Sequence, residues 1–191
     1  MTEKEVFCQK NEIKRGISSA DIEYVINARL FFKGEETLMN IEYINPFIEA
    51  SQTVLKQIAS LDAVLGKVFL KTAPYKSEDV IIMVGLTGKI RGQANFSMKK
   101  SFAMKIASCM MMGMPVTEFD EMSKSAISEL ANMIMGNAAT ILYNRGINID
   151  ITPPALLMGE NMQITPNKMK TICIPLNVGE DTIVLDISSE A

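Results

Sequence analysis

The stretch Ser125-Ala-Ile-Ser-Glu-Leu-Ala-Asn132 sets three polar side chains, Ser125, Glu129 and Asn132, into an otherwise apolar run. Positions i, i+4 and i+7 of a helix share a sector of roughly 60°. The three therefore project together, and Gly136, Ala139 and Tyr143 continue their face. Ile127, Leu130, Ile134, Ala138 and Ile141 fall opposite, as a core stripe does. A related stripe stands 80 residues earlier, Asn45-x3-Glu49-x2-Gln52. Residues 45–74 align on 125–154 without a gap, with Glu49/Glu129, Ala59/Ala139, Gly66/Gly146, Thr72/Thr152 and Pro74/Pro154 identical. Gly and Pro mark backbone turns that a duplicated unit would keep. The pattern predicts two related halves, each with one polar-striped helix.

Helix and strand signals extend this outward. Asn45-Pro46 reads as an N-cap with proline at the first helical position, after a short entry segment Ile41–Ile44. That helix is expected to run to Leu65 and close at Gly66. Val68–Lys71 reads as a strand, and Asp79–Gly85 with Lys89–Ser97 as a hairpin turned at Leu86-Thr87-Gly88. A helix is expected over Met98–Met112 and a longer one over Met122–Asn144, capped by Asp120 or Ser123 and stopped by Gly146. Strands follow at Asn148–Ile151, Ala155–Gly159, Met162–Thr165, Met169–Leu176 and Thr182–Ile187. Residues 155–165 read as an extra hairpin of the second half, which lacks a final helix. The expected fold is α+β with internal pseudo-twofold symmetry, two long helices packed on a mostly antiparallel sheet.

Residues 1–38 differ: they are charged and irregular, then carry a short amphipathic segment, Ala20–Phe32, that Gly34 could stop. They read as an appendage of unassigned role, with 39–191 as the domain, repeat one about 40–118 and repeat two about 119–190.

Composition removes much of the catalytic repertoire. The 191 residues include no His, which excludes a Ser-His-Asp triad and His-ligated metal. Cys8, Cys109 and Cys173 form no CxxC or zinc spacing, and Cys109 and Cys173 read as core. With no clustered carboxylates, no metal or cofactor site is expected in the chain. The net charge is −3 and the basic residues are scattered, so no nucleic-acid groove is expected. No apolar run reaches a membrane span, no signal-peptide core follows the N-terminus, and cytoplasmic placement is expected. Gly85-x-x-Gly88 lies between strands and reads as hairpin punctuation rather than a phosphate loop. The methionines Met110, Met111, Met112 and Met114 read as adaptable core filling or as a plastic partner surface.

Taken by residue type alone, Ser125, Glu129, Asn132 and Gly136 are either a solvated helix face with a small residue for close packing, or a site left open for a partner. Together with Met111-Met-Gly-Met-Pro-Val116, Ile151-Thr-Pro-Pro154 and Met39-Asn-Ile-Glu-Tyr-Ile-Asn-Pro-Phe47, the stripe closely resembles the CheX branch of the CheC/CheX/FliY family of chemotaxis phosphatases, over about 39–190. The resemblance implies dephosphorylation of a CheY-type response regulator. Asn132 would then orient the attacking water, Glu129 would anchor the regulator's lysine, and Ser125 and Gly136 would support them. Mg2+ would come with the regulator. Asn45, Glu49 and Gln52 would form a degenerate first-half site, because Gln carries an extra methylene and Lys56 stands where the second half has Gly136. The resemblance also implies a homodimer, here expected to join by strand addition or strand exchange at apolar edge strands such as Met169–Ile174, with two outward-facing sites. The rival readings are a non-catalytic module that docks a receiver domain or scaffold partner, and a small-molecule enzyme.

Overall fold

The computed structural model describes residues 41–166 and 169–189, and the elements fall in one compact unit, Glu42–Ala191. The expectations for the appendage 1–38, Cys8 and the domain start at Met39 lie outside the described residues. In chain order the elements are α1 (Ile41–Ala59), β1 (Val64–Leu65), β2 (Phe69–Lys71), β3 (Tyr75–Lys76), β4 (Val80–Gly88), β5 (Gly92–Met98) and α2 (Lys100–Met110). They continue with α3 (Glu121–Asn144), β6 (Ile149–Ile151), β7 (Ala155–Met158), β8 (Gln163–Ile164), β9 (Lys170–Val178) and β10 (Asp181–Ser189).

The helix ends show which local signals held. At α3, the Asp120 carboxylate accepts from the Ser123 N–H at 2.9 Å and from its hydroxyl at 2.7 Å. Asp120 is thus the cap, and those hydrogen bonds hold its carboxyl below the usual range. Gly146 (φ +76) closes the helix as Ile147 N–H reaches Leu142 O, 3.0 Å, and Gly146 N–H reaches Tyr143 O, 2.9 Å. That is a Schellman ending, which needs a left-handed residue. At α1 both expectations fail. The helix is already formed at Ile41, so Asn45 is not its cap and Pro46 lies inside it. The apolar face explains this: Ile44, Phe47, Ile48, Val54, Leu55 and Ala59 are all buried, so the stripe begins before Asn45. At the other end Ser60 (φ +55) ends the helix six residues before Gly66. Val64 and Leu65 leave it to pair with β9.

The main sheet runs β1-β9-β10-β5-β4-β6, with β2 also on β9 and β7 also on β4. Every pairing is antiparallel. Two hairpins, β4–β5 and β9–β10, meet through β5 and β10, with Leu185 opposite Phe96 and Ile187 opposite Ala94. The pseudo-twofold lies between them, because each half sends its two short strands to the other half's hairpin. Val64 and Leu65 face Asn177 and Leu176, as Asp150 and Ile151 face Thr87 and Leu86. Phe69 faces Cys173, as Ala155 faces Met83.

This register corrects the ungapped alignment. Gly66 corresponds to Thr152, not Gly146: Gly66 N–H donates to Pro175 O at 2.8 Å, and Thr152 N–H to Gly85 O at 3.0 Å. Pro74 follows β2, whereas Pro154 sits between β6 and β7. The physical cause is helix length. Beyond its stripe α3 continues about one and a half turns further than α1, which displaces everything after it. The repeated elements are real, but the matching Gly and Pro residues are not equivalent positions.

Three more expectations change with the pairing. The segment 155–165 is no hairpin: β7 pairs with β4, and β8 pairs with β3, Tyr75 opposite Ile164. The β4–β5 turn falls at 89–91, because Leu86, Thr87 and Gly88 pair with β6. The predicted edge Met169–Ile174 is interior, since β9 has β10 on one side and β1 and β2 on the other.

Alternation along the strands divides the sheet. Val80, Ile82, Val84, Ala94, Phe96, Ile174, Leu176, Ile183, Leu185 and Ile187 are buried and form one apolar face. The apolar stripes of the helices complete that core, with α3 packed on α2, β4, β6 and β7. The opposite face carries Asn95, Thr171, Asp186 and Ser188, also buried. There Lys71 Nζ meets the Asp186 carboxylate at 2.8 Å and lies 4.6 Å from the Tyr75 ring centre. Burial pushes the Cys173 thiol up to about 12, so this cysteine is an inert core residue. Cys109 is exposed, contrary to expectation, because α2 buries Phe102, Ala103, Ile106 and Ala107 and turns Cys109 away.

Candidate functional site

The α3 face is assembled as its periodicity predicts. Ile127, Leu130, Ile134, Ala138 and Leu142 are buried, Ile141 stands at the margin, and Ser125, Glu129, Asn132 and Tyr143 are exposed. Asn132 Nδ2 donates to Glu129 Oε2 at 3.4 Å, a long contact that leaves both groups available. One turn on, Gly136 is half-buried, and a methyl placed there would meet nothing within 4 Å. Packing against the described residues therefore does not demand a glycine at this point. The result is an open strip with a carboxylate and an amide side by side.

The first-half set is placed differently. Asn45, Glu49 and Gln52 are half-buried on α1. Gln52 Nε2 donates to the Ala63 carbonyl at 3.0 Å. Glu49 meets Arg145, from the end of α3, at 3.4 Å. Lys56 turns to Asp62 at 2.6 Å. Sequence reasoning placed Lys56 in the open position but gave no sign of Ala63 or Arg145, whose contacts depend on how the chain returns. It also left open the fate of the methionines. Met112 and Met114 are exposed, so the core-filling reading does not hold for those two, and Met122 is exposed as well. Among the described residues no group of three or more Cys, Asp and Glu could hold a metal ion, and no helix is long and apolar enough to cross a membrane.

Comparison with known proteins places this geometry. Residues 80–177 match the family model described as chemotaxis phosphatase CheX. The chain belongs to the CheX family. A curated relative, the CheY-P phosphatase CheX of Thermotoga maritima, is 30% identical over 126 residues, which are 66% of this chain and 81% of that one. Among solved structures, a CheC-like superfamily protein from Shewanella sp. PV-4 superposes with a TM-score of 0.73 at 27% identity, covering 80% of this chain and 100% of that one. The CheX of the CheX-CheY-BeF3-Mg complex from Borrelia burgdorferi gives a TM-score of 0.66 at 29% identity, covering 78% and 98%. The antiparallel sheet with packed helices is thus the CheC-like fold of this family, which joins CheC, CheX and FliY.

Proposed function

We propose that this chain hydrolyses the aspartyl phosphate of a CheY-type response regulator, using the α3 face. Water forms a bond to phosphorus as the bond to the aspartyl oxygen breaks, giving inorganic phosphate and the free carboxylate. The observation that carries the reading is the exposed pair Glu129 and Asn132, on one helical face of a CheX-family chain. An amide suits the task, since its oxygen can accept from the water while its NH2 donates to a phosphoryl oxygen. Glu129 pairs with a lysine of the regulator, and Ser125 and Gly136 keep the approach clear. Mg2+ arrives with the regulator, in line with the Mg-containing CheX-CheY complex from Borrelia burgdorferi. Orienting one water by about a hundredfold corresponds to roughly 2.7 kcal/mol, within reach of one well-held side chain.

Phosphate release from a phosphorylated CheY-type receiver tests this. The protein accelerates release, and Asn132→Ala returns the rate to the receiver's own with the fold intact, because an exposed helical site tolerates Ala. Full acceleration by Asn132→Ala would refute the role. In the same reading the chain works in the cytoplasm, where such regulators act, and pairs with a second copy. The contact moves from Met169–Ile174 to an outer edge, where β2 exposes Phe69 and Leu70, or β7 exposes Leu157 and Met158. Sedimentation as a monomer at micromolar concentration would rule the dimer out.

A further inference from the structure

Gly136 lies in the interior of α3, where glycine is far poorer than alanine at holding a helix. Two conditions call for glycine, a left-handed backbone or a close approach. Among the described residues Gly136 meets neither. Its φ is not positive, unlike that of Gly146 at +76. A methyl on it would meet nothing within 4 Å, whereas one on Gly85 would press on the Thr152 side chain at 2.9 Å.

The helix surface around Gly136 is kept low as well. Asn137 Nδ2 folds back to donate to the Met133 carbonyl at 3.0 Å, and Thr140 Oγ1 to the Gly136 carbonyl at 2.9 Å. On α1, four residues after Gln52 as Gly136 is four after Asn132, stands Lys56, whose long side chain reaches Asp62 at 2.6 Å. The closed stripe thus carries bulk where the open one carries none.

Direction and reach supply the occupant. Side chains of a helix lean toward its N-terminus, so a side chain at 136 would lie over the turn that holds Asn132, about 6 Å away. Asn is short, and in the proposed function its amide touches the phosphoryl group. The receiver surface around that group must therefore come down close to the α3 backbone. A flexible receiver side chain would yield to a methyl, whereas main chain would not. We propose that the main chain of a CheY-type receiver, beside its phosphoaspartate, rests directly on α3 at Gly136, leaving no room for a methyl. Glu129 stands one turn before Asn132 and Gly136 one turn after, so the regulator's lysine and this contact flank the phosphoryl group. The proposal rests on the reading above and makes Gly136 a determinant of receiver fit, not a catalytic residue.

The test compares the parent chain with Gly136→Ala, Gly136→Leu and Asn132→Ala. The urea midpoint is measured for each, with the affinity for a CheY-type receiver carrying Mg2+ and beryllofluoride, and phosphate release from the phosphorylated receiver. Both Gly136 variants are expected to unfold at higher urea than the parent, because they hold a helix better and the added methyl meets nothing. They are expected to bind the receiver more weakly, about tenfold for Ala and about a hundredfold for Leu, with phosphate release falling in the same order. Asn132→Ala is expected to lose release and keep its affinity. Parent-like affinity in Gly136→Leu overturns the contact while leaving the phosphatase reading intact. A lower urea midpoint in Gly136→Ala also overturns it, by showing that the chain's own packing needs the glycine. A parent chain that binds the receiver but releases no phosphate refutes the phosphatase reading, and the affinities then decide the contact by themselves. If the parent chain does not bind the receiver, the contact falls with that reading.

Discussion

Helices α1 and α3 carry the same kind of polar stripe, yet only α3 leaves it open to solvent. On α3, Glu129 and Asn132 are exposed, and among the described residues their side chains hydrogen-bond to each other, at 3.4 Å. On α1, Gln52 is spent on the Ala63 carbonyl and Glu49 on Arg145. The difference begins in helix length. α1 stops at Ala59, and the chain turns back past Gln52 to reach β1. α3 runs on to Asn144, so its return starts well beyond Asn132. A shorter helix can therefore close a polar stripe, even where a carboxylate and an amide both survive.

The largest effect is expected at the open stripe. Glu129→Lys puts a cation where the regulator's lysine would sit, and should lose both receiver binding and turnover, each by about a hundredfold or more. Equal loss from Glu49→Lys would break the comparison. At the closed stripe the effect should fall on stability. Gln52→Ala leaves the Ala63 carbonyl without its donor and should cost about 1 kcal/mol in denaturant unfolding while phosphate release is unchanged. A Gln52→Ala chain of full stability but reduced turnover would mean that α1 is an active face. Smaller still is the Glu49–Arg145 contact. It is half-exposed, so Arg145→Ala should cost well under 1 kcal/mol, with less effect as salt rises. The smallest effect concerns the helix starts. Asp120 has its carboxyl lowered by the bonds from Ser123, so its capping is complete above the ordinary carboxylate value and fades as pH falls through the lowered one. Asp120→Asn should therefore flatten the acid limb of the stability profile, whereas Asn45→Asp on α1 should not steepen it.

How far the sequence foretold this follows from the range of each signal. The boundaries of α3 were legible because Asp120, Gly146 and the 3.6-residue period are local. The runs that became β4, β9 and β10 were legible for the same reason. Pairing was not: β7 finds its partner in β4 and β1 in β9, from opposite halves of the chain. Hence the false hairpin at 155–165 and the false edge at Met169–Ile174. At Asn45 a sound capping signal lost to the burial of Ile44, a tertiary effect. The candidate face itself was readable from periodicity, and Ser125, Glu129 and Asn132 lie as spaced. The closing of Gln52 and Glu49 was not, because Ala63 and Arg145 reach them only through the fold.

On the proposed function α3 alone is the working face. It is tested most directly by exchanging the two amides in one chain, Asn132→Gln with Gln52→Asn, and measuring single-turnover phosphate release from a phosphorylated CheY-type receiver. Release is expected to fall by about a hundredfold toward the receiver's own rate. The longer side chain moves the amide at the open face, and the shorter one on α1 remains beneath the returning chain. Release at the parent rate would contradict it, showing that α1 can do the chemistry once it carries an asparagine.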